Sequence, residues 1–192
     1  MSDFILAELI DAQAALEHLI EDKQTQSNIE WAATQMAACL KQGNKIVACG
    51  NGGSMCDAMH FAEELSGRYR EDRPSYAAIA ISDPSHLSCV ANDYGYEHVF
   101  SRWIEAHGRA GDCLLAISTS GSSKNVLRAC QEAKSRGMMV IGLTGKAGSP
   151  LQDVADKCIV TPGGQYADRV QELHIKVIHI KIGLIERLMK EK

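Results

Sequence analysis

"KIVACGNGGSMCDAMHFAEEL", residues 45–65, decides how this chain is built. A short apolar run, "KIVAC", passes through Gly50-Asn51-Gly52-Gly53-Ser54 directly into a helix-like pattern. A strand that turns through glycines into a helix is the repeating unit of α/β proteins. In open sheets of that kind, ligands lie beyond the carboxyl ends of the strands, where loops lead into helix N-termini. The glycine cluster is therefore either a plain tight turn or a loop that holds a ligand close to His60 and Glu64.

Four more short, nearly continuous apolar runs follow: "YAAIAI" (76–81), "CLLAIS" (113–118), "MMVIGL" (138–143) and "KCIV" (157–160). Strands buried on both faces read this way, and both faces are buried when helices cover a parallel sheet. Helix-like segments separate them, clearest in "SSKNVLRACQEAKSRG", and the final stretch "ADRVQELHIKVIHIKIGLIERLMKEK" is long, apolar on more than one side and lysine-tipped, which suits a helix C-terminus. The pattern predicts a single doubly wound α/β domain with a five-stranded parallel sheet. Before the first strand, Ile5, Leu9, Ala12, Leu16 and Leu19/Ile20 recur at helical spacing. Ser27 and Glu30 read as a capping box for a second helix, carrying Ile29, Ala33, Met36 and Leu40 and stopped by Gly43. The first stripe has no place on a sheet already covered by its own crossover helices, so it is expected to pack against another copy of the chain. The division expected is residues 1–43 as a helical oligomerisation segment and 44–192 as the ligand-binding core, all one domain.

Composition narrows the function classes. Apolar residues make up 45% and charged residues 23% of the 192, as in ordinary folded domains. The net charge of −4, without a basic patch, argues against a dedicated nucleic-acid binder. No apolar run reaches bilayer-spanning length, and the acid-bearing start "MSDFILAELIDAQ" has no signal-peptide pattern. The 7 cysteines are scattered singly with no C-x-x-C, which points to a reducing compartment, the cytoplasm.

Two loops have the position and chemistry of ligand sites: "GNGGS" (50–54) and "STSGSSKN" (118–125). Glycine-opened backbone, hydroxyls and a helix N-terminus together make an anion site. The first lacks the last glycine of G-x-G-x-x-G, and "GLTGKAG" (142–148) lacks Walker spacing, so the dinucleotide and nucleotide fingerprints do not apply. One glycine loop alone is usually a turn; two after successive strands favour a phosphorylated ligand.

His60 and Glu64, four apart, stack on one helix face, whereas Glu63 points about 100° away and reads as a solvated charge. Gln171 and His179 differ by roughly 80° around their helix and share a broad face, and His174 lies roughly 140° from His179. A lone histidine in "IKVIHIKI" is ordinarily a core residue. Joined with His60, Glu64 and Gln171, it completes a nitrogen and oxygen set that zinc accepts.

"CGNGGS-CDAMHFAEEL-GRYR", "AISD", "VANDYG", "AISTSGSS-NV" and "YADRVQELHIKVIHI" resemble the sugar isomerase (SIS) domain family, specifically its phosphoheptose isomerase branch, over essentially the whole chain. The resemblance implies a flavodoxin-like core and conversion of sedoheptulose 7-phosphate to D-glycero-D-manno-heptose 7-phosphate. That reaction is the first step towards ADP-heptose and the lipopolysaccharide core, run by a cytoplasmic homotetramer. It implies one zinc per subunit on His60, Glu64, Gln171 and His179. It implies substrate contacts from Asn51, Gly52, Gly53, Asn92, Asp93, Ser118, Thr119, Ser120, Ser123 and Gln171. Met55 and Gly163-Gly164-Gln165 depart from the family pattern without touching these positions.

A ketose–aldose isomerisation moves a proton between adjacent carbons through an enediol(ate) and needs a base and a relay at the oxygens. Glu64 is the candidate base and His179 the candidate for ring opening or proton shuttling. Arg68 and Asp168 rank second, for substrate charge and for orienting a neighbour. The rival reading is a non-catalytic SIS protein that binds the replication initiator. Relatives of that kind share the glycine and serine loops but lack the "HFAEEL" pattern present here.

Overall fold

All five apolar runs are strands in the computed structural model, which describes residues 2–164 and 166–190. They are β1 (Ile46–Gly50), β2 (Ala78–Ala80), β3 (Cys113–Ile117), β4 (Met139–Thr144) and β5 (Lys157–Val160). The sheet is wholly parallel in the order β2-β1-β3-β4-β5, so the order reverses between β1 and β3. That is the flavodoxin-like arrangement. The helices are α1 (Ser2–Glu21), α2 (Lys23–Lys41), α3 (Gly53–Ser66), α4 (Pro84–Tyr94), α5 (Val99–His107), α6 (Lys124–Ser135), α7 (Pro150–Val154) and α8 (Ala167–Lys190), with a 3-10 turn at Tyr96–His98.

Strand alternation divides the interior in two. Ile46, Ala48, Cys113, Leu115 and Ile117 face one side, where Met36, Phe61, Leu65, Val177 and Ile182 bring in α2, α3 and α8. Val47, Cys49, Leu114 and Ala116 face the other, against Val90, Phe100, Ile104, Val126 and Leu151 of α4 to α7. Successive strand side chains point to opposite faces, which is why nearly every residue of the central strands is apolar. The edge strand β2 departs from the expected double burial: Ile79 is 44% exposed, because a strand at the sheet edge has a neighbour on one side only.

The N-terminal helices also differ in detail from the reading of the sequence. The capping box at Ser27 does not form; α2 starts four residues earlier, at Lys23, and Ser27 lies inside it. Asp22 is the cap, its Oδ1 accepting from Thr25 N at 2.9 Å and its Oδ2 from Thr25 Oγ1 at 2.7 Å. Aspartate is among the strongest N-caps, and here a single residue both ends α1 and starts α2. The stripe on α1 is split. Leu19 is buried and Leu16 packs on the core, while Phe4, Ile5, Leu6, Leu9 and Ile10 are exposed. No helix among the described residues is long and apolar enough to cross a membrane.

Candidate active site

The order reversal leaves a crevice where β1 and β3 send their chains to opposite faces, into α3 and α6. Gly50 ends β1, and a Cβ there would stand 2.6 Å from the Ser54 carbonyl oxygen, so the turn into α3 closes only around glycine. Gly52 adopts φ +54°, the left-handed region that glycine enters without steric cost. A Cβ on Gly53 would meet the Gln171 side-chain nitrogen at 2.5 Å, so the missing methyl is the space in which the Gln171 amide lies.

Across the crevice the hydroxyl loop is internally bonded. Ser118 Oγ and Ser123 Oγ lie 3.0 Å apart, and Gly121 N donates to Ser118 Oγ at 3.1 Å. Ser122 donates to Ser120 Oγ from both its backbone nitrogen and its hydroxyl. Ser118 is buried, Thr119 and Ser123 half-buried, and Ser120 exposed at the mouth above the N-terminus of α6. The two loops are tied by paired amides: Asn51 Nδ2 donates to Asn125 Oδ1 at 2.9 Å, and Asn125 Nδ2 to Asn51 Oδ1 at 2.7 Å. Tyr96 adds its hydroxyl to Asn51 Oδ1 at 3.0 Å. Asn92 and Asp93, bonded to each other at 2.7 Å, are exposed at the C-terminal end of α4, just before that tyrosine.

Two turns into α3 the residues capable of acid–base and metal chemistry gather. His60 Nε2 is 3.4 Å from Glu64 Oε1 and 3.0 Å from His179 Nε2, and the three ligand atoms all lie within 4.8 Å of one another. Nitrogen and carboxylate donors so close can hold a metal ion, and this set suits zinc. Tyr69 stacks on the His179 ring with centroids 5.8 Å apart. Glu63 is exposed, yet one of its oxygens lies 3.6 Å from His60 Nδ1. Asp57, one turn before His60, has a buried Oδ2 without a partner, and burial pushes its carboxyl up to about 6 against the pull of His60. His174 is fully buried, pushed down to about 4 by that burial, and takes no part in the cluster. Asp168 accepts from the Arg169 backbone nitrogen at 2.7 Å, and Arg68 is exposed; Gln165 lies outside the described residues.

The sequence reading did not single out Asn125, Tyr96, Tyr69 or Asp57. Asn125 closes the quoted hydroxyl stretch and Tyr69 sits in "GRYR", so both lay inside segments already marked for function.

A family model for the SIS domain matches residues 10–145. The phosphoheptose isomerase of Tolumonas auensis is 60% identical over 185 residues, 96% of each chain. Among solved structures, the phosphoheptose isomerase of Neisseria gonorrhoeae superposes with a TM-score of 0.88 at 38% identity, covering 97% of this chain and 98% of that one. The Francisella tularensis phosphoheptose isomerase gives 0.89 at 32% identity, over 96% and 97%.

Proposed function

The chain belongs to the SIS domain family, in its phosphoheptose isomerase branch, and from that and from the site we infer that it converts sedoheptulose 7-phosphate to D-glycero-D-manno-heptose 7-phosphate. The observation that carries the chemistry is the half-buried Glu64 carboxylate, held 3.4 Å from an imidazole beside a crevice walled by a glycine loop and a hydroxyl loop.

In this reading Ser118, Thr119, Ser120 and Ser123 bind the phosphate, helped by the positive end of α6. Asn51, Gly52, Gly53, Asn92, Asp93 and Gln171 orient the open-chain sugar, and orientation alone is worth a large part of such a barrier. Glu64 takes the proton from one carbon and returns it to the neighbouring carbon. His179 moves the compensating proton between the two oxygens and opens the sugar ring. One zinc per subunit, held by His60, Glu64, Gln171 and His179, would supply Lewis acidity toward the carbonyl oxygen when bound. We also assign the chain to a cytoplasmic homotetramer: its 7 cysteines are all free, and the apolar first half of α1 is uncovered in the single chain. The reaction would be the first step towards ADP-heptose.

The test is Glu64→Gln, which keeps size and an acceptor oxygen but removes basicity. With zinc content verified, turnover falls at least about a hundredfold, and solvent deuterium no longer exchanges into recovered substrate. Substrate affinity changes much less. Exchange at near wild-type rate in the zinc-loaded variant refutes Glu64 as the base and passes that role to His179.

A further inference from the structure

Helices α3 and α8 run side by side in the same direction, and besides the apolar packing of Phe61 and Leu65 against α8 and the Lys181–Phe61 contact, three rungs join them among the described residues. At the first, the Gln171 amide occupies the space over Gly53. At the second, His60 meets His179 at 3.0 Å. The third lies just beyond Glu64 and is made by Arg73, in the loop after α3, and Glu186 of α8. Their side chains are 4% and 9% exposed.

The Arg73 guanidinium faces both helices. Its Nε donates to Glu186 Oε1 at 2.9 Å. Its Nη2 donates to the carbonyl of Glu64 at 2.5 Å, and its Nη1 to those of Leu65 at 2.8 Å and Gly67 at 2.9 Å. The carbonyls that end a helix have no partner within it and carry the negative pole of its dipole, so one cation satisfies the end of α3 and a buried carboxylate together. The ring of Tyr76 lies 4.5 Å from the guanidinium carbon and closes the remaining side. Glu186 follows His179 by seven residues, two turns that return to within about 20° of the same face.

A buried ion pair adds little net stability, because desolvation offsets the attraction. A planar guanidinium does fix direction, since its donors leave at set angles. Here one donor is tied to α8 and another to the backbone of a residue in the reactive cluster. We propose that Arg73 and Glu186 form a positioning clamp that sets the spacing and axial register of α3 against α8, and with them the separations among His60, Glu64 and His179. The proposal rests on the reading of that cluster as a metal-holding, proton-moving site.

The experiment compares wild type, Arg73→Lys and Glu186→Gln in three measurements: zinc affinity by chelator competition, thermal unfolding, and long-range proton–nitrogen NMR of the imidazoles in metal-free protein. Lysine keeps the charge but reaches one partner in place of the fork. Glutamine keeps the size and the oxygen that accepts from Arg73 Nε while removing the charge, and circular dichroism with the unfolding curve establishes that each variant compared is folded. Both folded variants should lose zinc affinity, Arg73→Lys by about 10- to 100-fold and Glu186→Gln by less. The His60 and His179 nitrogen signals should shift, while those of His86, bonded to the Val99 carbonyl on the opposite side of the sheet, stay in place. A folded variant with lowered melting temperature but wild-type zinc affinity and unmoved imidazole signals overturns the clamp, leaving a purely structural pair. If His60→Ala binds zinc as wild type does, or neither binds it, the metal reading fails, and the clamp stands or falls on the imidazole signals.

Discussion

Replacing Lys181 by methionine should stabilise the protein, by an amount that depends on pH. Lys181 is fully buried on the inner face of α8, its Nζ has no hydrogen-bond partner, and the ring of Phe61 lies 5.4 Å away. Desolvation pushes the amine down to about 7, with the nearby Cys113 pulling the other way. An unfolded chain holds the same group near about 10.4. Between these values the unfolded state binds more protons at this group than the folded one, so the contribution of Lys181 to stability rises with pH across that window and is lowest below it. Burying this group therefore costs about 4 kcal/mol at pH 6.5, where the core holds it mostly as the ammonium, and about 2 kcal/mol at pH 9, where folding strips its proton. Lys181→Met removes this cost and adds an apolar contribution that does not vary with pH. Urea unfolding of both proteins at pH 6.5 and 9.0, at one protein concentration, should show the advantage of the variant shrinking by about 2–3 kcal/mol on going to the higher pH. A difference that is the same at both pH values, or a less stable variant, refutes the buried, unpaired amine.

Three further outcomes follow from the site and the surface. Ser120→Ala should weaken binding of a phosphorylated sugar far more than it lowers the melting temperature, since the hydroxyl is exposed at the mouth of the α6 loop; unchanged affinity in calorimetry counts against the phosphate placement. Metal analysis should find zinc lost from His60→Ala and kept by His174→Ala, whose effect is a lower melting temperature from the emptied core; equal loss in both would mean the wrong histidines. Light scattering should give a mass near four chains, with charged substitutions at Phe4 and Leu9 breaking the assembly, and a clean wild-type monomer would end that assignment.

Periodicity carried much of this structure. Each apolar run became a strand within two residues, and the 3.6-residue period alone put His60 over Glu64 and turned His174 away from His179. The misread start of α2 has a local cause: two helices separated by one residue leave no loop to mark the boundary, and Ser27 with Glu30 imitates a cap inside a continuous helix. What could not be read were partners joined only by topology. Arg73 finds Glu186 across 113 positions, and Asn125 finds Asn51 across 74. No local pattern marks such residues; they meet because β1 and β3 are neighbours in the sheet, and because α8 returns to lie on α3.

That return fixes the order in which the molecule is completed on the ribosome. The side of the sheet covered by α4 to α7 has every one of its helices before residue 155, so it can close while the chain is still being made. The side covered by α2 and α3 waits for the last helix, and until α8 emerges Phe61, Leu65 and Met36 have no lid. His179 arrives with that lid. A nascent or prematurely terminated chain thus holds the glycine and hydroxyl loops and half a core, but not the His60–Glu64–His179 cluster, and exposes an apolar sheet face of the kind chaperones hold. Closing of that side of the core and assembly of the His60–Glu64–His179 cluster are a single event, set by the docking of α8.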